Sequence, residues 1–339
     1  MSGAIATPVG DGRRRAVIEA VTPEVDAGRF PAKRVVGESM LVEADVFTDG
    51  HDAVACAVLY RREGAPAWDE VRMSPLAGDR WCGRFMVTEC GCYAYTVCAW
   101  VDHFETWRRD LVKRMQAGQD LTVPLQVGGA LVEEAHGRAA GNDAARLAQW
   151  SRRLRDDHTA AEQRGAAALE SDLRDLMARH PDRQLATAYE RELHVVVEPP
   201  RARFSAWYEM FPRSCAADES GHGTFRDCIA RLPYVAAMGF DVLYLPPVHP
   251  IGRVFRKGRN NALSAAPGDP GSPWAIGAAE GGHTAVHPQL GPLEDFRELV
   301  SQARDLGLET ALDIAVQCAP DHPWVTEHPA WFVLRPDGT

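Results

Sequence analysis

The chain has 339 residues, 45% hydrophobic and 25% charged, an ordinary globular composition with length for two or three domains. Its net charge of −10 argues against nucleic acid or an anionic membrane as partner and leaves small or neutral polar substrates open. Residues 1–12 lack the apolar stretch of a secretory signal and no run approaches a membrane span, so a soluble, cytoplasmic protein is expected.

Residues 13–127 read as β. The runs "SMLVEADVF" (39–47), "AVACAVLYR" (53–61), "RWCGRFMV" (80–87) and "CYAYTVCAWVD" (92–102) alternate or are rich in aromatics. Turn signals such as "TDGHD" (48–52) and "PLAGD" (75–79) separate them. Short strands at this spacing predict an immunoglobulin-like β-sandwich. Trp81 and Trp100 are assigned to its inward-facing core, ahead of a carbohydrate-binding platform. The eight cysteines (56, 82, 90, 92, 98, 215, 228, 318) form no CxxC pair and no zinc-type spacing. Free buried thiols are expected, and no metal site.

Residues 128–195 switch to helix. "ARLAQWSRRL" (145–154) and "ALESDLRDLMARH" (168–180) place apolar residues three and four apart, and Pro181 stops the second at His180. A small helical bundle is expected. Its charged faces read as solvated surface, with a dimer contact as the alternative.

From Arg203 the pattern alternates between strand and helix. "FSAWYEMF" (204–211), "DVLYLPPV" (241–248) and "LETALDIAV" (308–316) read as strands. Between them lie the helices "TFRDCIARLPYVAAMG" (224–239) and "LEDFRELVSQARDLG" (293–307). This βαβ order predicts a parallel sheet, read here as the first three strands of a (β/α)8 barrel over 203–339. A dinucleotide-binding sheet is the rival, but no GxGxxG follows any of these strands.

The chemistry is expected at the C-terminal ends of those strands. The loop 246–292 is long and dense in Gly and Pro, and carries His249, Trp274 and the cluster Arg256, Lys257, Arg259, Asn260 and Asn261. Basic side chains beside paired Asn suit an anionic or hydroxyl-rich ligand as well as they suit a solvated loop. Past the third strand come Asp313, Gln317, Asp321 and His322. Gln317 can donate and accept toward sugar hydroxyls. Asp313 falls early in its strand, where a structural hydrogen bond is favoured over catalysis. Asp321 and His322 are adjacent on an extended segment and point to opposite sides, so a catalytic pair there is weakly supported.

The segments "WYEMFPRS" (207–214), "GFDVLYLPPVHPIG" (239–252), "KGRNNALSAAPGDPGSPWAIG" (257–277) and "ALDIAVQCAPDHPWV" (311–325) resemble the α-1,4-glucan:maltose-1-phosphate maltosyltransferases of the α-amylase superfamily. "VDAGRFPAKRVVGES" (25–39) and "DGHDAVACAVLYR" (49–61) are similar to that family's N-terminal sandwich. The resemblance implies transfer of a maltosyl unit from maltose 1-phosphate to the non-reducing end of an α-1,4-glucan, with retention. It implies a cytoplasmic homodimer without metal or organic cofactor, and donor binding through Lys257 and Gln317. "DIAVQC" (313–318) occupies the superfamily's first conserved region, with Gln317 and Cys318 where Asn and His are usual.

Retention needs a carboxylate nucleophile and a second carboxyl group about 5 Å away. The family takes these from later strands, and no Asp or Glu here, Glu209 and Asp313 included, is assigned to either role. Residues 203–339 amount to 137 positions, against about 250 for a complete barrel. The expectation is an inactive N-terminal portion of such an enzyme. A non-catalytic glycan-binding or dimerising module is the alternative.

Overall fold

Met40, Val42, Ala44 and Val46 alternate with polar residues along one strand, and all four are buried on the same face. That strand belongs to the first of two units in the computed structural model, which describes residues 12–218 and 221–337. One unit ends at Pro200 and the other begins at Arg201. Of the stretch read for a signal sequence, residues 1–11 lie outside the described residues.

In the first unit the chain forms β1 (Ala16–Thr22), β2 (Ala32–Val35), β3 (Ser39–Thr48), β4 (Val54–Arg62), β5 (Asp69–Arg72), β6 (Ser74–Pro75), β7 (Arg80–Met86) and β8 (Gly91–Val101). After five helices come β9 (Thr187–Ala188) and β10 (Leu193–Glu198). One antiparallel sheet runs β1-β3-β7-β6. A second runs β2-β10-β8-β4-β5, with β9 beside β8 and only β2 and β10 parallel. Their facing sides share one core, with Met40, Val42 and Phe85 from the first and Val58, Tyr95, Val97 and Val195 from the second. This is a β-sandwich.

Trp81 packs against that core half-buried, its indole N–H donating to the Val46 carbonyl at 3.2 Å. Trp100 departs from expectation. It is buried, but on the opposite face of its sheet, with Ala55, Ala57 and Cys98. Period-2 alternation puts it there, since Tyr93, Tyr95, Val97 and Ala99 take the inner face of β8. The Arg72 and Arg183 guanidinium groups lie 4.7 and 4.2 Å from its ring, and Arg183 is ion-paired with Glu70. These cations cover the ring.

The helices are α1 (His103–Gln116), α2 (Thr122–Arg138), α3 (Gly141–Leu154), α4 (Ala161–Ala168) and α5 (Ser171–Arg179). They begin inside the range 13–127 expected to be β, and the strands resume inside 128–195 expected to be helical. The start is set by Asp102, whose carboxylate accepts from the Glu105 N–H at 2.9 Å. Leu111, Leu125, Val132, Leu147, Leu154 and Leu176 form a core separate from the sandwich interior. At Gly128 the backbone of α2 lies so close to Trp107 that a methyl group would overlap the indole ring. All eight cysteines are free; Cys56, Cys215 and Cys228 are buried, whereas Cys90 is exposed. Burial pushes the Cys56 thiol up to about 12.

The second unit is a parallel sheet in the order β11 (Trp207–Glu209), β12 (Val242–Leu245), β13 (Glu309–Leu312). The crossovers contain α6 (Phe225–Ala237) and α7 (Leu293–Asp305), and a short α8 (Pro323–Glu327) follows β13. A reciprocal capping box opens α6: Thr224 and Asp227 each take the other's backbone N–H. Leu243 and Leu245 meet Phe225, Leu232 and Val235 of α6 and Leu299 of α7 in the core.

Two strands are shorter than expected. β13 stops at Leu312 instead of Val316, because its neighbour β12 runs into Pro246 and Pro247, which have no N–H for a ladder. β11 occupies only three residues of 204–211, extended by one bond from the Met210 N–H to the Tyr244 carbonyl at 2.9 Å.

Candidate functional site at the strand ends

Asp313 immediately follows β13, and its N–H donates to the Leu245 carbonyl at 2.9 Å, the last bond of the sheet. Its carboxylate accepts from the Trp274 indole N–H at 2.7 Å. The Tyr244 hydroxyl also bonds to it, which raises the pKa of that phenol. Trp274 in turn meets Phe211 edge-on at 5.9 Å. Residues after all three strands therefore converge: Phe211 after β11, Trp274 in the loop after β12, and Asp313 after β13. The aspartate sits at the strand's end, not early within it, and braces the aromatic wall.

The loop 246–292 is heavily self-bonded. Arg256 donates to the carbonyls of Ile251, Gly252 and Asp269 at 2.7, 2.9 and 3.3 Å. Arg259 is 3.4 Å from the Asp269 carboxylate. Asn260 and Asn261 have φ of 53° and 62°, left-handed conformations that Asn tolerates better than most residues. His249 is tied through Nδ1 to the Ala285 carbonyl at 2.9 Å, and burial lowers its pKa. The basic cluster, read from sequence as suiting a ligand and a solvated loop equally, is mostly engaged in building the loop. Lys257 differs: it is half-buried, and among the described residues no hydrogen bond or ion pair engages its ammonium.

Gln317 is exposed, and its amide has no partner among the described residues. Among the described residues no hydrogen bond joins it to Lys257. It stands in an irregular segment held from both sides, by the bond at Asp313 and by the Ala319 N–H on the Ile276 carbonyl at 2.7 Å. Asp321 and His322 engage different partners. Asp321 Oδ2 accepts from the Arg253 N–H at 2.7 Å, while the buried His322 ring meets His283 at 2.9 Å between nitrogens. Sequence reasoning overlooked His283, which stacks on Trp324 with centroids 5.1 Å apart. The signal was present in Gly281-Gly282-His283: at Gly282, φ is +54° and any side chain would overlap His322.

Among the described residues no group of three His, Cys, Asp or Glu side chains could hold a metal ion. No described helix is long and apolar enough to cross a membrane.

The geometry can be set beside known proteins. Residues 14–199 match the family model described as α-1,4-glucan:maltose-1-phosphate maltosyltransferase, domain N/S. The chain belongs to that family. Residues 209–331 match the α-amylase catalytic domain. Maltosyltransferases of this name from Chlorobaculum tepidum, Methylacidiphilum infernorum and Myxococcus xanthus are 53%, 47% and 51% identical over 97%, 97% and 95% of the chain. The chain spans about half the length of these curated relatives, 49% of each. A maltosyltransferase family sandwich with helices therefore precedes an α-amylase-type segment in one polypeptide.

Proposed function

We propose that this chain supplies the donor-binding part of a retaining maltosyltransferase, which moves a maltosyl unit from maltose 1-phosphate to the non-reducing end of an α-1,4-glucan. The observation that carries the reading is the contrast within the basic loop. Arg256 and Arg259 are engaged by the protein, whereas Lys257 and Gln317 have no hydrogen-bond or ion-pair partner among the described residues. An ammonium group suits a phosphate oxygen, and an amide that both donates and accepts suits sugar hydroxyls. Asp313, already bonded to Trp274 and Tyr244, keeps the aromatic wall in place, which favours a structural role for it.

The nucleophile and the acid/base are assigned to no carboxylate of these 339 residues, so the polypeptide 1–339 alone is read as inactive. The sandwich is read as immunoglobulin-like, and the protein as a cytoplasmic homodimer. Its two opposed sheets, antiparallel except for the β2–β10 pair, support the first of these readings.

The test joins this chain to the remainder of the Chlorobaculum tepidum relative. Lys257→Ala should raise the apparent KM for maltose 1-phosphate about tenfold or more, as expected for a lost charge-assisted bond. An unchanged KM removes Lys257 from the donor pocket. Phosphate release from maltose 1-phosphate and glycogen by residues 1–339 alone would overturn the reading of this half as inactive.

A further inference from the structure

We infer that His322 and His283 are positioning residues that hold the backbone beside Gln317 through a single directed chain of hydrogen bonds. The inference rests on the donor-site reading of Gln317. It begins with the contacts. The Trp324 N–H lies 3.1 Å from His322 Nδ1, His322 Nε2 lies 2.9 Å from His283 Nδ1, and His283 Nε2 lies 2.6 Å from the Ala315 carbonyl oxygen.

Proton bookkeeping with neutral rings selects the direction that satisfies the most links. A carbonyl only accepts, so His283 Nε2 must carry a hydrogen. In a neutral ring His283 Nδ1 is then bare, and the hydrogen between the rings sits on His322 Nε2. That leaves His322 Nδ1 bare, as the Trp324 N–H requires. All three links are satisfied with both rings neutral and in the Nε2–H form. The backbone N–H of His283 also points at His322 Nε2 at 3.2 Å and could donate only to a bare nitrogen, so this assignment gives up that contact and keeps the other three. An added proton on either Nδ1 would face another donor and break a link.

The surroundings favour a neutral His322 ring. His322 is 1% exposed, and its pKa is lowered by burial first and by His283 second. The other titratable groups near it are Glu327, Asp321 and His249. Asp321 is directed to the Arg253 N–H, and the His249 ring is 5.5 Å from that of His283. Among the described residues no carboxylate is hydrogen-bonded to either ring of the pair. Gly282 keeps the backbone against the His322 ring, which any side chain there would displace.

The chain of bonds matters because of where it ends. Between Asp313 and Ala319 no sheet ladder exists, and among the described residues the Ala315 carbonyl is held by His283 alone. Without that bond the backbone on either side of Gln317 is anchored only at Asp313 and Ala319. Gln317 would then sample more orientations and meet the donor less often.

The experiment has two arms. In the ¹⁵N-histidine-labelled chain at pH 7, NMR should find both rings neutral and in the Nε2–H form, assigned by their loss in His283→Asn and His322→Gln. An Nδ1–H form or a doubly protonated ring overturns the directed chain, whatever the protein binds. In the full-length chimera, His283→Asn, which cannot reach the Ala315 carbonyl, should raise the KM for maltose 1-phosphate about tenfold with a smaller change in kcat. His283→Gln, whose amide N–H can reach it, should restore the KM. Equal KM in the Asn variant and the parent, with a raised KM in Gln317→Ala, overturns the positioning role. Unchanged KM in both variants overturns the donor-site reading, and the positioning role falls with it.

Discussion

The two units fix their side chains by different means. In the first, β4 and β8 pair through nine residue positions, and the inner face of each strand follows from alternation alone. In the second, β11 and β12 pair through three positions and β12 and β13 through four. Beyond those short ladders, position depends on single side chains: Arg256 on three carbonyls, Trp274 on Asp313, His283 on Ala315. Redundant backbone pairing builds a scaffold that one polar change barely moves. A loop pinned by individual side chains can aim functional groups, and each pin matters.

The largest expected effect tests the packed character of the first unit. Gly128→Ala pushes a methyl into Trp107 and should lower the stability of the helical layer by about 2–3 kcal/mol. Urea unfolding with hydrogen exchange on α2 peptides reads this directly. A loss below a few tenths would mean that the helices separate easily.

The next contrast is in pH. His287 of the second unit has its pKa lowered to about 4, by burial first and the neighbouring His222 second. Its unfolded value is about 6.5, so the unfolded state binds the proton first as pH falls. Stability of the second unit should therefore decline from about pH 6.5 down to about pH 4, by on the order of 2 kcal/mol. His287→Gln should flatten much of that slope in denaturant titrations at pH 7 and pH 4.5. An unchanged slope assigns the loss to other groups.

Smaller still is the cap of α6. Thr224→Ala removes half of the capping box and should cost the second unit about 1 kcal/mol. At the low end, Gly137→Ala in α2 meets nothing within 4 Å and should stabilise the first unit by about 0.5 kcal/mol. If Gly137→Ala destabilises as much as Gly128→Ala, the packing distinction between the two glycines fails.

Much of the fold was legible because period-2 and βαβ patterns are local. The strands at 39–47, 53–61, 80–87 and 92–102 lie within a residue or two of β3, β4, β7 and β8. The start of α1 was missed although Asp102 is a good N-cap, because an aromatic-rich strand runs straight into it. Trp100 was read as sandwich core because burial is legible from residue type, whereas the face depends on register. Around the site, Lys257 and Gln317 were singled out, but so were Arg256, Arg259 and both asparagines, which build the loop. Composition cannot separate a cation that binds a ligand from one that binds carbonyls thirteen residues away in the chain, as Arg256 does at Asp269.

The sequence by itself determined the βαβ order after residue 203, four long strands of the sandwich, the family, and which strand ends carry polar groups, because those follow from local pattern and motif. Tertiary structure alone decided which of those groups are already engaged. It ended β13 at Leu312 by placing Pro246 and Pro247 beside it, and it brought His283 to His322 and Ala315 from opposite ends of the second unit's loops. Hydrogen bonds between distant segments depend on where the backbone has been carried, and no local pattern records that.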